Sequence, residues 1–274
     1  MAARLSVIVI TKNEAAHIAA CLDSLAWADE RLVIDSHSTD ETAALAAACG
    51  ARVEVRDWPG YGAQKNIATG LASHDWIVSV DADERVTPEL AAEIRRTVER
   101  GDTCGGYRMA RVSFHLGTWI RCTDWYPDWQ VRLYDRRRAR WKETLVHESV
   151  TVEGDVGRLS SELQHLPYRD LADHVDTINR YSTLSAQQLV ARGVTSGPLR
   201  AIAHFAFAFF RNYILRRGIV AGAPGLVIST LNAYYVWLKF TRVWELHRTS
   251  EQVSRADAAR TTSSEASERS ERQA

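Results

Sequence analysis

No two of the four cysteines (Cys21, Cys49, Cys104, Cys122) stand in a CxxC spacing, and together they form no regular framework. A disulfide scaffold and a structural zinc site are thereby set aside, and a reducing compartment is expected. Net charge is missing too, with 34 Lys and Arg balancing 34 Asp and Glu. Whole-chain charge points to neither nucleic acid nor membrane, so the distribution of charge has to be read instead; no nucleic-acid partner is expected. No internal repeat is present. No GxxxxGK[ST] occurs, which removes P-loop nucleotide hydrolysis, and no GxGxxG follows the first apolar run, so the dinucleotide fingerprint is absent. That first run, six residues ending at Ile10, is too short for a secretory signal. It is expected to be the first β-strand of a chain that folds in the cytoplasm.

What is present suits a globular protein. The 274 residues are 46% apolar and 25% charged, enough for one large domain or a domain with an appendage. The β-branched runs at 5–10, 31–35, 51–55 and 76–80 read as buried strands. Between them, 14–26, 40–49 and 62–73 carry Ala, Leu and Ile at helical spacing. This alternation predicts βαβ units and a parallel sheet. Open α/β sheets bind ligands at the carboxyl ends of their strands. Those ends read Thr11-Lys12-Asn13-Glu14, Asp35-Ser36, Asp57 and Asp81-Ala82-Asp83, a polar and acid-rich edge.

A helix is predicted over 88–100, capped by Thr87 with Pro88 in its first turn. From 105 the pattern changes to longer antiparallel strands at GGYRMARVSF, QVRLYDR and HESVTV. A loop rich in Trp, GTWIRCTDWYPDW, separates the first two, and another helix is predicted over 170–192. Residues 198–247 hold six Lys or Arg against one acid, Glu245, and the twenty residues 219–238 carry no charge. That run is long enough to span a bilayer, but its Gly, Pro, Ser, Thr and Asn make it weakly apolar. Basic residues beside apolar aromatic helices suit a surface-lying element on anionic lipid better; a helical pair packed on the protein is the alternative. From 249 the composition predicts a disordered tail.

The stretch DWIVSVDADERV carries the chemistry. A buried strand runs into Asp81, Asp83 and Glu84; Asp81 and Asp83 offer hard oxygen donors of the kind that take Mg²⁺ or Mn²⁺ beside a phosphate ligand. A solvated acidic turn before the helix at Pro88 is the plain alternative. Asp35, ending the second strand, can accept hydrogen bonds from a ribose.

SVIVITKNEAAHIAACLDSLAWADERLVIDSHSTDET, WPGYGAQKNIA and DWIVSVDADERV, continuing through WYPDWQVRLYDR and VHESV to FFRNYILRRG, resemble family 2 glycosyltransferases of the GT-A fold. The wider set is similar to the lipopolysaccharide-core β-1,4-glucosyltransferase branch. The resemblance spans roughly residues 4–245. It implies an α/β, Rossmann-like mixed sheet with helices on both faces, plus a C-terminal helical amphipathic extension. It further implies a nucleotide pocket lined by Thr11, Asn13 and Glu14, with Asp35 on the ribose or base and Asp57 near the uracil. Gln64, Lys65 and Asn66 would contact the nucleotide or its phosphates. Asp81 would lie over the ribose and metal, and Asp83 would be the principal metal ligand. Without the resemblance, Lys65 reads as a solvated helical lysine.

Inversion at a sugar's anomeric carbon needs a carboxylate base for the acceptor hydroxyl. Glu148 in VHES and Asp128 in WYPDW are the candidates; Glu148 is preferred because His147 beside it can add a metal or phosphate contact. Arg132 can offset diphosphate charge or form a structural ion pair. Trp119, Trp125, Tyr126 and Trp129 suit stacking on an acceptor sugar, or simply cover the sheet. The expectation is a metal-dependent hexosyltransferase taking a UDP-sugar, with UDP-glucose the expected donor, and Mg²⁺ or Mn²⁺. Its acceptor would be a lipopolysaccharide-core or other lipid-linked saccharide at the inner face of the cytoplasmic membrane. Capsule or glycolipid synthesis with another donor is the second enzyme reading. A nucleotidyltransferase is the rival class, though its glycine-rich N-terminal signature is missing. The expected organisation is a catalytic domain over 1–197, a membrane-associating extension over 198–248 and the tail over 249–274.

Overall fold

A computed structural model describes residues 4–101, 103–143 and 149–271, with side chains through residue 249. The chain begins β1 (Leu5–Thr11), α1 (Ile18–Asp23), β2 (Glu30–Asp35), α2 (Thr42–Ala48), β3 (Arg52–Val55), α3 (Tyr61–Leu71) and β4 (Trp76–Asp81). It continues through β5 (Glu84–Val86), α4 (Pro88–Arg100), β6 (Gly106–His115), β7 (Thr118–Ile120) and β8 (Asp128–Asp135). Four short strands follow: β9 (Ala139–Trp141), β10 (Val150–Val152), β11 (Val156–Arg158) and β12 (Leu163–His165). Three helices complete it: α5 (Leu171–Ala191), α6 (Pro198–Phe210) and α7 (Gly222–Glu271).

The strands form a mixed sheet in the order β3-β2-β1-β4-β8-β6-β12-β5, with β7 and β11 also paired to β6. Parallel pairing joins β3, β2, β1 and β4, as the βαβ alternation predicts. β8 then runs antiparallel to both β4 and β6. Alternation along β1 shows why helices lie on both faces. Leu5, Val7 and Val9 pack with Ile18, Leu22, Leu90 and Ile94 of α1 and α4. Ile8 and Ile10 face the other way, with Ala68 of α3 and with Tyr134 and Trp141.

Local chemistry fixes α4: the Thr87 hydroxyl accepts from the Leu90 amide at 3.2 Å, and Gly101 closes the helix with a left-handed φ of 64°. Helix α1 is shorter than the 14–26 predicted, because Asn13 to Ala15 are spent on the loop after β2. The Asn13 amide donates to Ser38 Oγ, the Glu14 amide to Thr42 Oγ1, and the Ala15 amide to Asp40 Oδ2.

Two compact units divide the chain: residues 1–121 with 125–167, and residues 122–124 with 168–274. The boundary expected at 197/198 therefore lies inside the second unit, because α5 packs along α7. Tyr235 and Ser185 hydroxyls meet at 2.8 Å, and Arg242 donates to Asn179 O and Ser182 Oγ. His204 of α6 stacks on Phe240 of α7 at 4.0 Å. Helix α7 runs through Glu271. The segment Gly218–Thr249 is long and apolar enough to cross a membrane by length and composition.

Candidate active site

The strand ends of the first unit bring most of the predicted residues together. Asp81 closes β4, and both of its oxygens face cations: Lys65 Nζ at 3.0 Å from Oδ1 and Arg132 at 2.5 Å from Oδ2. Burial alone would raise its pKa, but Arg132 and Lys65 overcome that and hold the carboxyl far below the usual carboxylate range. Lys65 is not a solvated helical lysine: it is 1% exposed, with its ammonium 4.5 Å from the centre of the Trp141 ring. Asn66 turns away from the strand ends and pins β9, exchanging hydrogen bonds of 3.0 Å with the backbone of Trp141.

Glu84 is completely buried. It accepts from the Asp81 amide at 2.9 Å, from Arg111 at 3.0 Å and from Arg132 at 2.5 Å. Its position on β5 thus braces the turn that presents Asp83. Arg132, expected near a diphosphate, is buried on β8 and engaged by Asp81 and Glu84. Asp128 sits 2.7 Å from Arg111, and its second oxygen accepts from Gln130. Both oxygens are occupied, which weakens it as a proton acceptor. The other candidate base, Glu148, lies with His147 outside the described residues.

Asp83 is different. One oxygen, Oδ2, lies 3.2 Å from His165 Nε2, while Oδ1 makes no hydrogen bond among the described residues. The other ring nitrogen of His165 is 3.1 Å from Ser113 Oγ, which orients the ring. Burial acts to raise the Asp83 pKa, but the hydrogen bond and charge of His165 leave it lowered. Sequence reading missed His165. Its position follows from β12 pairing, which sets His165 opposite Glu84 on β5 and Ser113 on β6. No local motif carries that register.

A second polar cluster is built at the ends of the first two strands. Asp35 is buried and accepts from the Ser38 amide at 2.8 Å; Thr11 Oγ1 approaches it at 3.5 Å. Asn13 adopts a left-handed φ of 57° and accepts from the Thr39 amide, so its side chain shapes the loop. Asp57 stands in an exposed loop, 2.8 Å from His37, with Trp58 and Tyr61 edge-to-face beside it at 4.7 Å. Gln64 donates to Ser36, the residue after Asp35, at 3.1 Å. Two buried polar atoms, Gln64 Oε1 in this cluster and Arg132 Nε beside Asp81, lack a partner among the described residues. Such atoms carry a desolvation cost that a bound polar ligand can relieve.

The aromatic loop is more structural than its composition suggested. Trp129 lies between the Arg108 and Arg158 guanidiniums, at 5.3 and 4.3 Å, and Tyr126 donates to Glu162. Trp119 packs edge-on to Phe114 and Trp125 lies against His115.

Among the described residues, no group of three or more His, Cys, Asp and Glu converges as a metal site. That does not exclude a small hard cation, which takes one or two protein ligands and fills its shell from phosphates and water. Asp83 fits that need through Oδ1, and His165 can join it once the ring proton sits on Nδ1, where Ser113 Oγ accepts it.

Glu14 adds a pH signature. Burial pushes its carboxyl from 4.5 up to about 7, with Asp83, Asp40 and Asp81 pushing the same way. A raised folded-state pKa favours the protonated form, so stability is lost as pH rises from 4.5 through about 7. The Glu14→Gln variant should therefore be more stable than the parent at pH 8, with no such gain at pH 4. The gain should be on the order of 1 kcal/mol once solvent screening is allowed for. Denaturant unfolding of the ligand-free protein measures it; an equal difference at both pH values would contradict the assignment.

Comparison with known proteins identifies the family. The model of glycosyl transferase family 2 matches residues 6–152. An uncharacterised glycosyltransferase of Rickettsia felis is 31% identical over 93% of this chain and 95% of its own length. The lipopolysaccharide core biosynthesis glycosyltransferase LpsC of Rhizobium meliloti is 30% identical over 89% of this chain and 93% of its own. A crystal structure of glucosyl-3-phosphoglycerate synthase from Mycobacterium tuberculosis, with Mn²⁺, UDP and glucosyl-3-phosphoglycerate, is also similar. It is 28% identical over 42% of this chain and 45% of that one, but its TM-score of 0.36 supports no argument about the site. Matched over more than half its length and related to glycosyltransferases along nearly all of it, this chain is an enzyme belonging to glycosyl transferase family 2.

Proposed function

We propose that the enzyme is an inverting, metal-dependent hexosyltransferase that takes glucose from UDP-glucose and passes it to a lipid-linked saccharide, most simply a lipopolysaccharide core. The observation that carries the reading is the Asp83–His165 pair beside an Asp81 already neutralised by Lys65 and Arg132. Asp83 and His165 would hold Mg²⁺ or Mn²⁺; Asp81, facing two cations, serves to fix the turn. A divalent ion so held supplies positive charge against the diphosphate. The acceptor class is supported by the similarity to LpsC, whose name places it in lipopolysaccharide core biosynthesis.

The chain's own groups divide the remaining work. Asp35 and the loop at 36–39 receive the nucleoside, and Gln64 Oε1 offers a buried acceptor to it. Lys65 and Arg132 keep Asp81 ionised and the turn at 82–84 rigid. In the transfer, the acceptor oxygen forms its bond to the anomeric carbon as the bond to the diphosphate breaks, and the acceptor proton passes to a carboxylate. We assign that carboxylate to Glu148. The engagement of both oxygens of the rival Asp128, by Arg111 and Gln130, supports the choice.

His165→Ala tests the metal assignment. It should raise the Mn²⁺ concentration for half-maximal turnover by about 10–100-fold, with recovery at high Mn²⁺. Metal titration of UDP-glucose turnover reads this directly. An unchanged metal requirement would remove His165 from the site.

A further inference from the structure

Apart from Arg200 in its first turn, the water-facing side of α6 is apolar. Leu199, Ile202, Ala203, Ala206, Phe207 and Phe210 are exposed at helical spacing, and Leu199 is 84% exposed. A surface helix normally turns its polar face outward, so this one is built to be covered. The apolar strip continues beyond the helix into the turn at 214–220. There Leu215 and Val220 are 60% and 78% exposed, with Ile214 and Ile219 beside them.

That turn is rigidly constructed. A Cβ on Gly225 would lie 1.8 Å from the Gly218 carbonyl oxygen, and one on Gly218 would lie 2.6 Å from Ser229 Oγ. Only glycine at both positions lets the turn seat this closely on α7. The buried Asn212 side chain ties the turn down further, donating to Ala208 O and Asp124 Oδ2, both at 2.9 Å. Arg217 is held at a left-handed φ of 58°, an uncommon conformation for a side chain of this size. The exposed apolar tips are thus presented by a fixed scaffold.

Charge selects what covers it. Arg200, Arg216 and Arg217 are exposed around the strip, and Arg200 and Arg217 have no carboxylate partner among the described residues. The only acid between 198 and 247 is Glu245. Pairing with a second copy across a two-fold axis would set arginines against arginines. An anionic lipid surface supplies both apolar depth and negative headgroups.

We propose that the α6 face and the 214–220 turn form an interfacial docking surface for an anionic bilayer, with Leu215, Ile219 and Val220 entering the acyl boundary and Arg217 meeting the headgroups. This deepens the reading of a lipid-linked acceptor and rests on it for its purpose, though not for its test. It also assigns membrane contact to α6 and the turn rather than to α7. One side of helix α7 packs on α5 and α6, through Tyr235, Arg242 and Phe240.

The full chain is to be sedimented with phosphatidylcholine vesicles, with and without phosphatidylglycerol. Binding is expected only when phosphatidylglycerol is present, with release at high salt. A Leu215→Ser, Ile219→Ser, Val220→Ser triple variant should lose more than about tenfold in partition. Arg217→Gln should lose about fivefold. Hydrolysis of soluble UDP-glucose should match the parent in both variants, and unchanged far-UV spectra and melting should show intact folding. If the triple variant misfolds, Phe207→Ser with Phe210→Ser on α6 supplies the same comparison. Equal binding to both vesicle types, or none, overturns the proposal. So does a concentration-dependent dimer that the triple variant abolishes, which gives the face to a second copy. Retention in membranes through high salt and alkaline carbonate overturns it in favour of a spanning α7. Vesicle binding without any donor hydrolysis would leave this proposal standing and remove only the transferase reading of the site.

Discussion

Replacing Glu84 with Ala is expected to destabilise the protein by about 3–5 kcal/mol, the usual cost of stripping one partner from a buried charge cluster. Three donors converge on this fully buried carboxylate: the Asp81 amide, Arg111 and Arg132. Ala would leave the buried Arg132 and the partly exposed Arg111 with only Asp81 and Asp128 to offset them. Water cannot rescue them cheaply, because Arg132 is itself buried. Glu84→Gln keeps the shape but removes the charge, and should fall between parent and Ala. Urea unfolding with fluorescence detection measures both, and a loss below about 1 kcal/mol for Ala would contradict the bracing role. The activity of Glu84→Ala should fall along with its folded fraction, since the turn carrying Asp83 depends on it.

This residue also shows where sequence reading stops. The strand before it was legible because WIVSV is a continuous buried run, and β4 forms there. The helix after it was legible because Thr87 and Pro88 are local signals, and α4 begins at Pro88. Between them, the role of Glu84 depends on Arg111 and Arg132, which arrive from β6 and β8 by antiparallel pairing. No spacing in the chain encodes that convergence. The same reason hid His165: β12 has only three residues, too few for any periodic signal, and its pairing with β5 and β6 is purely tertiary. The parallel half of the sheet was readable, since each βαβ unit repeats the same local pattern. In the second unit the helix over 170–192 was legible, and α5 forms there; its packing on α7 was not, because that contact joins residues about sixty positions apart, as Ser182 and Arg242 do.

Glu148→Gln should lower transfer to acceptor by about 10²–10⁴-fold while leaving the affinity for UDP-glucose unchanged. A general base acts on the acceptor hydroxyl only as the new bond forms, so its loss is felt in turnover and not in donor binding. Asp128→Asn should behave differently. Asp128 is committed to Arg111 and Gln130, so its replacement disturbs the charge cluster and should appear first as lost stability. Isothermal titration for the donor, paired with steady-state transfer for each variant, separates the two. Retained transfer in Glu148→Gln with its loss in a folded Asp128→Asn would move the base to Asp128.

The central claim is that the acidic end of β4, with His165 opposite, is a nucleotide-sugar and metal site. It is tested most directly by thermal unfolding of the purified protein against a panel of UDP- and GDP-sugars, each with and without Mn²⁺ or Mg²⁺. Ligand at about 100 times its dissociation constant should stabilise the fold by about 2.7 kcal/mol. A UDP-hexose is expected to raise the melting temperature, Mn²⁺ or Mg²⁺ to enlarge the rise, and Asp83→Ala to remove the metal-dependent part. Unchanged melting with every nucleotide sugar in the presence of either metal would contradict it.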